Sequence, residues 1–201
     1  MNPPPVLIQS FSYSPRPGIV IHYPVLGGTM RPQVRQHINL ILLHTVQRLA
    51  QDQGLQQREL VEMSGWFEVK TNERNLLSLS LFNYAFSGGA HGLTVQKSLT
   101  FDIQTGQRFT LRQLFKPNSN EVEVLSRLVR GQITQRNIPV VTPFTQIQPE
   151  QDFYLADKAL VLYFQLYDLA PYVYGFPYFP ISIYDLTSIL DEQGPLGKLL
   201  P

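Results

Sequence analysis

Histidine is the side chain best able to move a proton near neutrality, and of the four here only His91 sits among glycines, in Ser87-Gly88-Gly89-Ala90-His91-Gly92. Three glycines within five positions call for positive φ or the close approach of another group, and they leave main-chain amides bare around the imidazole. Such a loop can bind, or it can act as a general acid or base. It can equally be a turn whose histidine bonds its own backbone, and loop residues bind more often than they react. No Gly-x-Ser-x-Gly elbow and no Ser-x-x-Lys motif supplies a nucleophile. His22 stands apart, while His37 and His44, seven positions apart, lack the His-x-x-x-His or His-x-Glu pattern of metal ligands. They read as ring edges on a mostly buried helix, and no metal site is expected.

A second group of chemically useful side chains runs from Tyr163 to Tyr184, a stretch dense in aromatic residues and interrupted by Pro171, Pro177 and Pro180. Rings with polar tips, such as Tyr172 and Tyr174 between Pro171 and Gly175, suit sugar rings or a protein partner. Prolines there fix a loop at little entropic cost to binding. Core packing of the same rings is the competing reading. Paired carboxylates for glycoside hydrolysis cannot be chosen by spacing, because Asp102, Asp157, Asp168 and Asp185 all read as turn or cap residues. Asp168 differs in its apolar neighbours, which would raise its pKa unless donors meet it.

The elements that position these groups follow from periodicity. Residues 1–17 hold Pro3, Pro4, Pro5, Pro15 and Pro17 and read as an extended, proline-rich arm docked through Phe11 and Tyr13. A short strand over 18–23 is stopped by Pro24. A long helix then begins near Pro32 and ends before Gly54, with Val34, Ile38, Ile41, Leu42, Val46 and Leu49 on one stripe. A hairpin follows, 61–70 with the Leu77 strand, and after the glycines a strand alternates Thr94, Gln96, Ser98, Thr100 and Asp102 against Val95, Leu99, Phe101 and Ile103. That alternation predicts one face open to water. Gly106 marks a tight turn. Thr110 with Gln113, and Asn118 with Glu121, predict capping boxes for a short helix and a longer one carrying Val122, Leu125, Val129 and Ile133. A hairpin across Asp157-Lys158, a strand over 180–183 and a short helix over 185–190 close the chain.

Strands interspersed with two substantial helices, without βαβ alternation, predict an α+β fold, an antiparallel sheet of hairpins packed by two main helices. With 201 residues and 43% hydrophobic content the chain can fold as a single domain over 18–201, with lobes at 18–90 and 91–201 as a subdivision. A formal charge of +1 and no basic run give no footprint for nucleic acid. The absence of cysteine removes disulfides and thiolate chemistry. No stretch has the length of a membrane span, and Met1-Asn2-Pro3-Pro4-Pro5 lacks a signal-peptide pattern. Read as given, the chain is expected to be cytoplasmic, or extracytoplasmic if a leader has been removed. Oligomeric state is open.

Gly88-Gly89-Ala90-His91-Gly92, the Leu99-Thr100-Phe101-Asp102 strand with Thr105-Gly106, residues 111–115, residues 153–164, and the 167–175 loop followed by Ile181 together resemble the RsiV-type domain. That domain forms the extracytoplasmic part of a lysozyme-responsive anti-sigma factor and lies beside the catalytic domain of the peptidoglycan deacetylase PdaC. The resemblance implies an α+β binding or sensing module with no established catalytic activity of its own, whose partner is a lysozyme-type protein or a cell-wall glycan, and no cofactor is expected. It assigns binding to Gly88, Gly89, His91, Gly92, Asp168, Pro171, Tyr172 and Gly175, and Tyr174 joins them from the aromatic segment. No sigma-binding segment, membrane anchor or deacetylase metal motif accompanies them. Two other readings stand beside it: a glycan hydrolase using His91 and Asp168 as acid and base, and a structural or sporulation-associated protein.

Overall fold

The computed structural model describes residues 5–200, which form two compact units, Met1–Gln107 and Arg108–Pro201. The strands on either side of the glycine loop form one continuous hairpin inside the first unit.

In the first unit the order is β1 (Ile8–Tyr13), β2 (Ile19–Leu26), α1 (Pro32–Asp52), β3 (Glu62–Glu73), β4 (Leu76–Phe86) and β5 (Leu93–Asp102). The five strands form one sheet in sequence order. All pairs are antiparallel except β2 with β3, which run parallel over Ile19–Ile21 and Met63–Gly65 with α1 between them in sequence. The α1 boundaries follow from Pro32, whose ring suits the first helical turn, and Gly54, which takes the left-handed backbone just past the end (φ +85°).

Ile38 and Leu42 of α1 pack with Leu77, Leu79, Leu81, Leu99 and Phe101, flanked by Val34, Ile41, Val46 and Leu49 as the periodicity predicts. Each such leucine, fully buried, contributes about 1.5–3 kcal/mol. A smaller cluster of Ile19, Ile21, Ala50, Leu60 and Met63 sits beside it.

Several expectations are corrected. Within the proline-rich arm, residues 1–4 lie outside the described residues and 8–13 form β1. The arm docks by a backbone ladder, with Phe11 and Tyr13 about half exposed (49% and 50%). Strand β2 runs through Pro24 to Leu26. The Gly27 amide donates to the Leu7 carbonyl at 2.8 Å, which makes the odd residues of β1 the ones bonded to β2 and leaves the proline nitrogen aimed away from β1. The polar side of β5 does not face water: Gln96, Ser98, Thr100 and Asp102 are all buried. Hydroxyls satisfy each other across the strands, Ser78 with Thr100 at 2.9 Å and Ser80 with Ser98 at 2.8 Å, and Gln96 Nε2 donates to both Ser80 and Ser98.

Two asparagines tie the sheet margins. Asn72 accepts from the Val6 amide and donates to the Val6 carbonyl, and Asn39 on α1 does the same for Leu26 at 2.8 and 3.1 Å. Asn39→Ala strips partners from both main-chain groups of a buried residue. Chemical denaturation is expected to show a loss of about 1–3 kcal/mol.

The second unit holds α2 (Glu121–Gln135) and a three-stranded antiparallel sheet of β6 (Phe153–Ala156), β7 (Ala159–Tyr163) and β8 (Tyr178–Ser182), with β7 central. Gln132 on α2 donates to the Pro180 carbonyl at 2.8 Å, and Ser126 accepts from the Ile147 amide at 3.0 Å. Residues 112–114 and 183–186 are 3₁₀ turns where short helices are expected.

Only half of the Thr110–Gln113 capping box forms: the Thr110 amide donates to Gln113 Oε1 at 2.9 Å, but the Thr110 hydroxyl donates to that same oxygen at 3.2 Å instead of accepting from the Gln113 amide. Asn118 does not cap α2: it takes a left-handed turn (φ +59°), and the Glu121 carboxylate instead accepts from Arg112 Nη1 at 2.6 Å and Ser119 Oγ at 3.1 Å. Among the described residues no helix is long and apolar enough to cross a membrane.

Candidate functional site

The glycine-histidine loop joins β4 to β5 in the first unit. Gly88 and Gly89 take φ of +92° and +97° with open space where a Cβ would stand, so backbone conformation alone demands glycine there. Gly92 is different in kind. A Cβ on it would lie 2.6 Å from the Ala85 carbonyl oxygen and collide with the Tyr84 ring, so here glycine admits a close approach.

His91 is exposed, with Nδ1 2.9 Å from the Gly92 carbonyl oxygen. A carbonyl only accepts, so that contact places the proton on Nδ1. His22, His37 and His44 are exposed, the latter two on the solvent side of α1 and not at its buried face. Among the described residues no three His, Asp or Glu side chains gather as a metal site would need.

The second candidate loop lies in the other unit. Leu169 and Ala170 are buried and anchor it, and the Val141 amide donates to the Leu169 carbonyl at 2.9 Å. Beyond them Pro171 starts a 3₁₀ turn, Tyr172–Tyr174, closed by Tyr174 N to Pro171 O at 2.9 Å and Gly175 N to Tyr172 O at 3.0 Å. Gly175 takes φ +76° to leave the turn. Arg136 fixes the far side: its guanidinium donates to the Tyr178 carbonyl at 2.6 Å and to Tyr174 Oη at 3.3 Å, and it stacks over Phe179 at 5.5 Å.

The result is a braced loop with apolar groups held outward. Val173 is 93% exposed at the tip, Tyr167 is 51% exposed, and the Tyr167 and Tyr172 rings lie 5.4 Å apart. Tyr167 has φ +71°, a left-handed backbone that costs a bulky L-residue roughly 1–2 kcal/mol. The aromatic segment therefore divides: Tyr163 and Phe179 are core, while Tyr167 and Tyr184 reach solvent.

Asp168 is exposed, not enclosed by apolar groups, because its neighbours Leu169 and Ala170 turn inward while it turns out. It borders an open cleft of about 410 Å³ within the second unit, shared with Glu150, Asp152, Gln148, Phe144 and Phe164. The two phenylalanine rings meet edge to face at 6.0 Å.

Asp168, Pro171, Tyr172, Tyr174 and Gly175 are thus gathered on one loop of one unit, and Gly88, Gly89, His91 and Gly92 on one loop of the other. Val173 carried no signal in the sequence, being an aliphatic residue among aromatics. The strain at Tyr167 had none either, since only coordinates reveal a positive φ on tyrosine.

Two family models match the chain, one inside each unit: residues 18–94 match "Deacetylase PdaC" and residues 112–184 match "Protein of unknown function (DUF3298)". Among solved structures, a DUF3298 family member from Bacteroides fragilis NCTC 9343 superposes with a TM-score of 0.73 at 14% identity, over 96% of this chain and 97% of that one. The chain has the DUF3298 fold. A DUF3298 family protein from Pseudomonas aeruginosa PAO1 is also similar, with a TM-score of 0.63 at 18% identity, over 100% of this chain and 96% of that one. No curated protein matches. Neither of the two matching models names the RsiV-type domain.

Proposed function

We propose that this DUF3298-fold chain is a non-catalytic recognition module that docks a protein partner through the Tyr167–Gly175 loop, with a lysozyme-type protein as the partner the family resemblance implies. The observation that carries the reading is Val173, an aliphatic side chain 93% exposed on a turn closed by its own backbone bonds and held from behind by Arg136. An exposed aliphatic tip costs free energy in water and gains it in a partner's apolar pocket. Flanking tyrosines add ring area and hydroxyls, and a braced loop loses little freedom on binding. Gly88, Gly89 and His91 offer a second exposed loop, to which we assign a secondary contact role, while Gly92 is buried against Tyr84 and serves the turn.

Calorimetric titration of the chain with lysozyme tests this. Val173→Asp is expected to weaken binding by about tenfold or more without changing thermal unfolding. Unaltered affinity removes the loop from the interface. Failure to bind lysozyme, together with retention on insoluble cell-wall material, moves the ligand class to glycan, and turnover of that material would restore the hydrolase reading.

The strain at Tyr167 gives a second, oppositely signed readout. Tyr167→Gly relieves the left-handed backbone and is expected to raise stability by up to about 1 kcal/mol while weakening partner binding. A loss of stability alongside unchanged binding would make Tyr167 an ordinary packing residue.

A further inference from the structure

The first unit contains a groove of about 330 Å³ that none of the loops above uses. Its walls come from two elements. From α1, Leu43, Val46, Gln47, Ala50 and Gln51 lie at spacings of three and four and so share one face. Opposite stand the Tyr13 ring of β1 and the Ile21 and Tyr23 side chains of β2. The turn after α1 closes one end: Gly54 in its left-handed conformation and the Leu55 amide bonded to the Ala50 carbonyl at 3.0 Å bring Leu55 and Gln56 onto the rim. Phe11 braces Tyr23 from the side, ring centroids 6.2 Å apart.

The chemistry of this lining is selective. The floor is aliphatic, with Ile21 and Ala50 almost fully buried. The rim carries two phenols and three carboxamides, and no Asp, Glu, Lys, Arg or His takes part. The nearest ion pair on α1, Arg48 with Asp52 at 3.7 Å, lies outside the lining. Among the described residues nothing hydrogen-bonds the side chains of Tyr13, Tyr23, Gln47, Gln51 or Gln56.

A phosphate, carboxylate or ammonium ligand would find no countercharge there. A purely apolar ligand would strip water from five polar groups and return no hydrogen bond. A sugar ring matches both halves: its C–H face packs on tyrosine rings and aliphatic carbon, while its hydroxyls donate to and accept from carboxamides that do the same. The volume lies at the small end of ligand pockets, about 300–1,000 Å³, which suits one or two sugar rings.

We propose that the groove between α1 and the β1–β2 edge is a binding site for a neutral saccharide. It does not rest on the docking loop of the second unit, and the two can fail separately.

The full chain is titrated with a neutral N-acetylglucosamine oligomer and, separately, a neutral glucose oligomer, and binding is followed by amide chemical shifts. Saturable binding in the millimolar range or tighter is expected for at least one of them, with shifts on Tyr13, Tyr23 and the 43–51 face of α1. Tyr13→Ala and the double change Gln47→Ala with Gln51→Ala alter exposed side chains and leave the fold intact. Each is expected to weaken binding about fivefold or more. The proposal is overturned if neither oligomer saturates, if the shifts fall elsewhere, if both groove variants bind as the parent does, or if only a charged oligosaccharide or an apolar dye occupies the groove.

Discussion

Gly92→Val is expected to be the most damaging single change in the glycine-histidine loop, costing about 3 kcal/mol or more in chemical denaturation, against roughly 1 kcal/mol for Gly88→Ala or Gly89→Ala. The three glycines look alike in sequence and differ physically. At Gly88 and Gly89 a methyl group meets nothing, so its cost is the left-handed backbone alone. At Gly92 the new carbon meets the Tyr84 ring and, 2.6 Å away, the Ala85 carbonyl oxygen. The ring can swing; the carbonyl cannot, because β4 is held by β3 on one side and β5 on the other. Valine adds two more carbons to that overlap. If Gly92→Val unfolds no more readily than Gly88→Ala, the close approach is not limiting and all three glycines serve turn geometry only.

Arg112→Ala should be nearly as costly in the second unit, at about 2 kcal/mol. The Glu121 side chain is 5% exposed, at the first turn of α2, while Arg112 is 60% exposed. A pair in water is worth under about 1 kcal/mol, and removing one partner of a fully buried pair costs about 3–5 kcal/mol. A buried carboxylate with a half-wet arginine falls between these values. Its location at a helix N-terminus and the Ser119 hydroxyl at 3.1 Å lower the cost further. The double variant Arg112→Ala with Glu121→Gln separates the causes, since the neutral amide keeps the shape and needs no cation. It is expected to recover more than half of the loss. A single variant within about 0.5 kcal/mol of the parent would show that Glu121 does not depend on Arg112.

The α+β architecture was legible because its signals are local. Pro32 and Gly54 bracket α1, the Val34–Leu49 stripe has helical period, and Asp157-Lys158 stands between two short β-rich runs. What sequence could not reveal were choices made by partners distant in the chain. Nothing in Ile19–Ile21 says that its neighbour will be Met63–Gly65 running parallel, or that the strands divide into two sheets. The serines and threonines of β4 and β5 read as a wet face because polar alternation normally marks one. Here each hydroxyl finds another across the ladder, so the same pattern is compatible with burial.

The candidate residues were legible as types and loops: glycines around His91, and prolines and tyrosines around Asp168. Burial was not. The apolar neighbours of Asp168 suggest enclosure, yet it stands in the open, while Val173, an aliphatic residue among tyrosines, is the most exposed large hydrophobic side chain among the described residues.

The short parallel join has a consequence for how the first unit comes apart. Strands β3, β4 and β5 are stitched by long antiparallel runs, of which β4–β5 extends over ten residue pairs from Leu76–Asp102 to Ala85–Leu93. The β1–β2 hairpin pairs with that meander over three residue pairs, with Asn72 of β3 bonded to Val6 beside it, while Asn39 ties Leu26 to α1. Local opening takes the route that breaks fewest cooperative bonds. The β1–β2 hairpin is therefore expected to exchange its amide hydrogens with solvent earlier than the meander does in a hydrogen-exchange experiment, and it carries one wall of the tyrosine-lined groove.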